Sequence, residues 1–109
     1  MNGVVSNHSD RDALIAKIKN GVALIDFSAD WCVPCREQRP IVERIADTYK
    51  GKAEVFDLNV DEHPDPAISL GITSIPTLIV FKNGSEFQRF IGIQKEETLI
   101  SSLEAALND

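Results

Sequence analysis

A chain of 109 residues holds one domain and leaves no room for a second independent core, and its 43% apolar and 26% charged content excludes intrinsic disorder and collagen-like structure. Seventeen acidic against eleven basic side chains give a net charge of −6, which repels phosphate backbones and anionic lipid heads and argues against nucleic-acid and membrane partners. No apolar run approaches the roughly 18 residues of a membrane span, and the start MNGVVSNHSDRDA lacks the basic end, apolar centre and cleavage site of a signal peptide, so a cytosolic setting with reduced thiols is expected.

Residues 1–109 read as a single unit without repeats or linkers. Val4-Val5 is predicted as a short first strand. Ser9 opens a helix, because Ser9-Asp10-Arg11-Asp12 has the form of a capping box. Leu14, Ile15 and Ile18 mark its apolar face, and Asn20-Gly21 stops it. Val22 to Phe27, apolar at nearly every position, predicts a strand buried on both faces. A second helix is expected from Pro34 to Tyr49, with Ile41, Val42, Ile45, Ala46 and Tyr49 inward and Pro40 kinking its axis. A strand near Ala53 to Val60 follows. Asp65-Pro66 then reads as an N-cap with proline at the first helical position, opening a short helix that ends at Gly71. Thr77 to Lys82 and Glu86 to Ile91 flank Asn83-Gly84, the mark of a two-residue hairpin. Lys95 to Leu107 is the last helix, with Leu99, Ile100, Leu103 and Leu107 inward. This order implies an α/β domain, a mixed sheet of about five strands with four helices on its two faces.

The chemistry lies in Trp31-Cys32-Val33-Pro34-Cys35-Arg36, where a central strand enters a turn and a helix leaves it. Cysteines three apart at a helix start share one side of the first turn. Their β-carbons then lie near the roughly 3.8 Å that a disulfide needs. The pair can switch between dithiol and disulfide without refolding the domain. At a helix N-terminus, unpaired N–H groups and the dipole favour a thiolate, lowering the pKa of Cys32 from a free value of about 8.5. Cys35, one turn further in, is expected to stay shielded. Cys32 is therefore read as the attacking nucleophile and Cys35 as the resolving thiol. A zinc site uses the same spacing, but zinc wants four ligands and the rest of the chain offers only His8 and His63, not in a ligand-spaced pair. Two inert core cysteines are the other reading.

At this point the chain resembles the thioredoxin family. The resemblance is carried by Asp26-Phe27, the run Ala29 to Arg36, Pro40, Asn59-Val60-Asp61, Ile72 to Thr77, Phe81-Lys82-Asn83-Gly84 and Gly92, over about residues 10–107. It implies a thioredoxin fold, protein-disulfide reductase activity, no cofactor beyond a redox-active Cys32–Cys35 disulfide, and recharging by a thioredoxin reductase. It places Pro76 at the family's cis-proline, where a tight turn frees the backbone of Ile75 to pair with an extended substrate segment. Proline there also offers no side-chain ligand to a metal. Trp31, Ile75 and Gly92 form the implied apolar docking patch, and Val33, Pro34 and Pro76 complete the substrate-facing set. Asp26, among Ala23-Leu24-Ile25 and Phe27, is costly to bury ionised. Its pKa is expected to rise, making it a candidate proton acceptor for Cys35, the role the family gives the matching aspartate.

Three departures stand out. Val33 replaces the commonest glycine and adds β-branched bulk beside the sulfurs. Ser28 replaces a frequent aromatic residue, which predicts looser packing. Asp57 replaces a lysine near the buried aspartate, so Asp26 is expected to titrate unusually high unless Asp57 faces solvent. Arg36 keeps a positive charge beside the pair. A monomeric general reductase of disulfide-containing proteins is the leading reading. A specialised reductase, an oxidase or isomerase of opposite poise, and a non-catalytic binding module stand as alternatives.

Overall fold

The computed structural model describes residues 3–108, with residues 3–10 by backbone alone. Eight elements follow in order: α1 (Gly3–Ile18), β1 (Val22–Ser28), α2 (Val33–Thr48), β2 (Glu54–Asn59), α3 (Pro64–Ser69), β3 (Thr77–Lys82), β4 (Ser85–Ile91) and α4 (Glu96–Asn108). The sheet runs β2-β1-β3-β4, with β1 and β2 parallel and the other neighbours antiparallel. All seven residues of β1 are buried, as its unbroken apolar run predicts. The sheet's alternation then divides the core. Val22 and Leu24 pack with Val42, Ile45, Leu99 and Leu103 of α2 and α4. Ala23, Ile25 and Phe27 pack on the other face with Leu14 and Ile18 of α1 and Ala67 of α3.

The sheet has four strands rather than about five. Val4-Val5 lies within α1, which also takes in Ser9, so the expected capping start does not form. Two β-branched residues make too short a run to build a ladder, and strand preference depends on the neighbours a segment pairs with. Nothing between Val4 and Ile18 is glycine or proline, so no breaker halts the helix. Ile15 is 54% exposed, whereas Leu14 and Ile18, four residues apart, share the inward stripe. The third helix starts one proline earlier than expected. His63 is its N-cap and Pro64 opens the first turn, placing Asp65 inside the helix, where it pairs with Arg11 at 3.7 Å.

The hairpin forms as its sequence predicts. Asn83 and Gly84 have φ of 50° and 85°, the left-handed pair that a tight twisted turn needs. The Asn83 side chain also accepts a bond from Gly21 N at 2.8 Å, tying the hairpin to the end of α1. A Cβ on Gly84 would meet Lys19 backbone only at 3.8 Å, so alanine there suffers from conformation rather than collision. Gly84→Ala is expected to cost about 1–2 kcal/mol. A thermal unfolding midpoint lowered by several degrees checks it, and an unchanged midpoint contradicts it.

Candidate active site

The site sits where β1 hands the chain to α2. Pairing with β2 persists to the strand's end, where Val60 N donates to Ser28 O at 2.8 Å. The chain then turns, with Cys32 N donating to Ala29 O at 3.2 Å. Cys32 is the N-cap of α2 in an extended conformation, and its Sγ accepts from Cys35 N at 3.3 Å. That bond satisfies a backbone donor that the helix leaves without a partner. Pro34 sits in the first turn, where a missing N–H costs nothing. Cys32 and Cys35 are joined as a disulfide with Cα atoms 5.2 Å apart. Cys35 is fully buried while Cys32 keeps 4% of its surface exposed, so of the two residues only Cys32 meets solvent.

Other chain segments complete the surroundings. The Ile75–Pro76 bond is cis, and Ile75 O lies 3.8 Å from Cys32 Sγ. Ile75 packs against Ala29, Cys32 and Cys35. Gly92, at φ 90°, donates its N–H to Pro76 O at 2.8 Å, bringing the segment after β4 beside the proline. Trp31 is 67% exposed, and its indole N–H donates to Asp61 Oδ2 at 2.7 Å. The Asn59 side chain holds that aspartate's turn by accepting from Asp61 N and Glu62 N. Val33, Ile91 and Ile93 are also exposed. Arg36 turns its guanidinium to Asp30 O at 2.8 Å, bracing the loop before the cysteines.

Asp26 occupies the sheet face beneath α2. It is 1% exposed, and its Oδ1 has no hydrogen-bond partner. Its pKa is pushed from 3.8 to about 7, first by burial, next by the charge of Asp57, with Arg39 pulling the other way. Asp57 is the register partner of Asp26 on β2 and is itself exposed, so its charge adds to the effect of burial without dominating it. Asp26, Arg39, Glu43 and Asp57 line a cavity of about 220 Å³ between α2 and β2. Ser28 is buried, and its Oγ donates to Asp57 Oδ2 at 3.2 Å.

The structure thus gathers Cys32, Cys35, Ile75, Pro76 and Gly92, with Trp31, Val33 and Pro34 contiguous in chain and Asp26 beneath the helix. Sequence reasoning missed Asp61, Arg39 and the exposed Ile91 and Ile93. The apolar alternation Ile91-Gly92-Ile93 across the end of a strand was the available signal for the last two. Asp61 stood within the Asn59-Val60-Asp61 run of the resemblance, which gave it no role, and Arg39 carried no signal, because both roles arise from contacts across the fold. Among the described residues, no three His, Cys, Asp or Glu side chains come together to hold a metal ion.

The sequence model of the thioredoxin family matches residues 4–105. Thioredoxins of Staphylococcus aureus strains MW2 and N315 are each 44% identical over 92 residues, covering 84% of this chain and 88% of theirs.

The raised Asp26 pKa sets a pH dependence. Below about pH 3 the carboxyl is protonated in folded and unfolded chains alike and has no effect. As pH rises past 3.8 the unfolded chain ionises while the folded one stays protonated, so stability falls until about pH 7 and then levels off. The full penalty is on the order of 4 kcal/mol. Asp26→Asn is therefore expected to be more stable than the wild type at pH 8 and no more stable at pH 3, as measured by denaturant unfolding with the disulfide intact. An equal gain at both pH values contradicts this. The two flanking charges are separable by carboxyl NMR titration. Arg39→Gln is expected to raise the Asp26 pKa and Asp57→Asn to lower it, and shifts of the same sign would refute that assignment.

Proposed function

The chain belongs to the thioredoxin family, and on that premise we propose how its residues divide the work of reducing protein disulfides. It is a thiol–disulfide oxidoreductase with the thioredoxin fold, and its redox-active centre is the Cys32–Cys35 pair. The observation that carries the reading of roles is the asymmetry of the two sulfurs. One caps a helix and meets solvent, while the other is sealed one turn behind it.

In the reduced protein a Cys32 thiolate keeps the Cys35 N–H as a donor and faces the positive end of α2. It attacks one sulfur of a target disulfide. A Cys32–target bond forms, the target S–S bond breaks, and the departing target sulfur takes up a proton. Cys35 then loses its proton and attacks Cys32 Sγ. The Cys32–Cys35 bond forms, the mixed disulfide breaks, and the second target thiol is released. The target gains two electrons and the protein loses two. Asp26 takes the Cys35 proton in this proposal. A buried carboxyl with a pKa near 7 is poised to accept and release protons at neutral pH. The cavity reaching it has room for the water that would relay a proton out between α2 and β2.

Docking falls to the surface around the disulfide. Trp31, Val33, Ile91 and Ile93 offer exposed apolar area, and Ile75, Pro76 and Gly92 border the sulfur. An extended target segment pairing with the Ile75 backbone fits that geometry. Trp31 is held in place by Asp61, so its face is ordered before a partner arrives. Val33 widens the apolar area beside the sulfurs with a stiff, branched side chain. Electrons return from a thioredoxin reductase in this reading. The setting is the cytosol, since a dithiol reductase needs a compartment that keeps thiols reduced. No helix among the described residues is long and apolar enough to cross a membrane.

Alkylation of the reduced protein tests the roles. Cys32 is expected to react first, with a pH midpoint below the ordinary thiol value of about 8.5, and Cys35 far more slowly. Cys35→Ser is expected to trap a mixed disulfide with insulin through Cys32, whereas Cys32→Ser traps none. Equal, sluggish alkylation of both thiols would overturn the assignment.

A further inference from the structure

Gln38 is polar and yet fully buried in the inward stripe of α2, one turn beyond Cys35. Its amide is spent on a single distant residue. Oε1 accepts from Gln94 N at 2.7 Å, and Nε2 donates to Gln94 O at 3.1 Å. This is the donor–acceptor pair that a neighbouring strand would present, supplied by one side chain. The Gln94 side chain then reaches back, donating Nε2 to Gly92 O at 3.2 Å and Ile91 O at 3.3 Å. Gly92 N in turn donates to Pro76 O. A continuous line of hydrogen bonds therefore runs from the active-site helix through the 91–94 segment to the cis-proline.

We propose that Gln38 is a positioning residue for target binding, clasping the 91–94 segment so that Gly92 and its flanking isoleucines stand at a fixed place beside the disulfide. Past Ile91, the last residue of β4, the segment lies outside regular structure before α4, and loops of this kind hold a fixed shape only when tied down. Two bonds made by a buried amide are a strong tie. Losing the side chain leaves the N–H and C=O of Gln94 without their partners, and the segment must move to find water. The sulfurs themselves depend on Cys32 capping the helix, and the Gln38 amide bonds go to Gln94 rather than to that cap. Docking and thiol chemistry are therefore separable through this residue. The inference rests on the reading of Ile91, Gly92 and Ile93 as docking surface.

The test uses the full-length, pre-reduced protein in single turnover against two oxidants. Insulin needs the docking surface, and 5,5′-dithiobis(2-nitrobenzoate) is small enough to need little of it. Gln38→Leu is expected to raise the half-saturating insulin concentration about fivefold, the scale of one lost buried hydrogen bond. Its limiting rate, its rate with the small disulfide and the pH midpoint of Cys32 alkylation stay within twofold. If the two oxidants slow together, or the alkylation midpoint moves, Gln38 serves the helix rather than docking and the proposal fails. Ile93→Asp is the reference. If it raises the insulin half-saturation and Gln38→Leu does not, the clasp is refuted while the docking surface stands. If neither changes it, the docking surface falls and the clasp with it. Should Gln38→Leu fail to fold, Gln38→Met keeps the length of the side chain and removes both bonds to the Gln94 backbone. The same rise in insulin half-saturation supports the proposal, and no rise refutes it.

Discussion

The structure turns on one cap. Cys32 closes the N-terminus of α2 with its own sulfur, accepting the Cys35 N–H that the helix would otherwise leave unpaired. That single contact does two things at once. It ends the turn after β1 at a fixed residue, so the helix starts with both cysteines on one side. It also puts the reactive sulfur in the place where backbone donors and the helix dipole favour negative charge. Serine or aspartate would cap the helix equally well, but only cysteine makes the cap a nucleophile. β1 matters because it is buried along its whole length and cannot shift, which fixes where the turn begins.

Beneath the cap, a second constraint works through burial rather than contact. Asp26 continues the face of β1 that carries Val22 and Leu24, so it is sealed by the same helix that presents the sulfurs. A carboxylate in that place is stabilised by little, and its Oδ1 finds no partner. Two charges adjust how far its pKa moves. Asp57 arrives from β2 through the parallel register, and Arg39 comes from α2. Burial is the largest cause and Arg39 is the opposing one. The departure at Asp57 is thus accompanied by a cation on a different element, which a reading of position 57 alone does not reveal.

How much of this was legible in the chain depended on range. Features set by neighbours in sequence were readable. The Asn83-Gly84 turn, the buried run of β1 and the Cys32–Cys35 spacing each dictate their local conformation. Features set by partners across the fold were not. Val4-Val5 favours a strand only if a strand stands beside it, and in α1 none does. Ile15 looks like Leu14 until the packing against α3 decides which turns inward. Gln38 is the instructive case. Cys35, Gln38, Val42, Ile45 and Tyr49 recur every three or four residues, so the periodicity placed Gln38 inside. Its polarity masked that, because a buried amide makes sense only once Gln94, far along the chain, is seen to meet it.

The same contrast bears on how a fold of this size can vary its partners without losing its chemistry. The thiol centre is held by local bonds, the cap and the first turn of α2. The docking surface is assembled from separate segments, each with its own tie. Trp31 is fixed by Asp61, and the segment after β4 by Pro76 and Gln38. A change in one of those ties moves a part of the surface and leaves the sulfur's environment intact, because no bond in the surface network ends on Cys35 or Asp26 among those described. Val33 belongs to both, exposed on the docking face and bonded to Cys32 in the first turn that leads to Cys35. Substitution there cannot alter recognition without touching the turn on which the nucleophile depends.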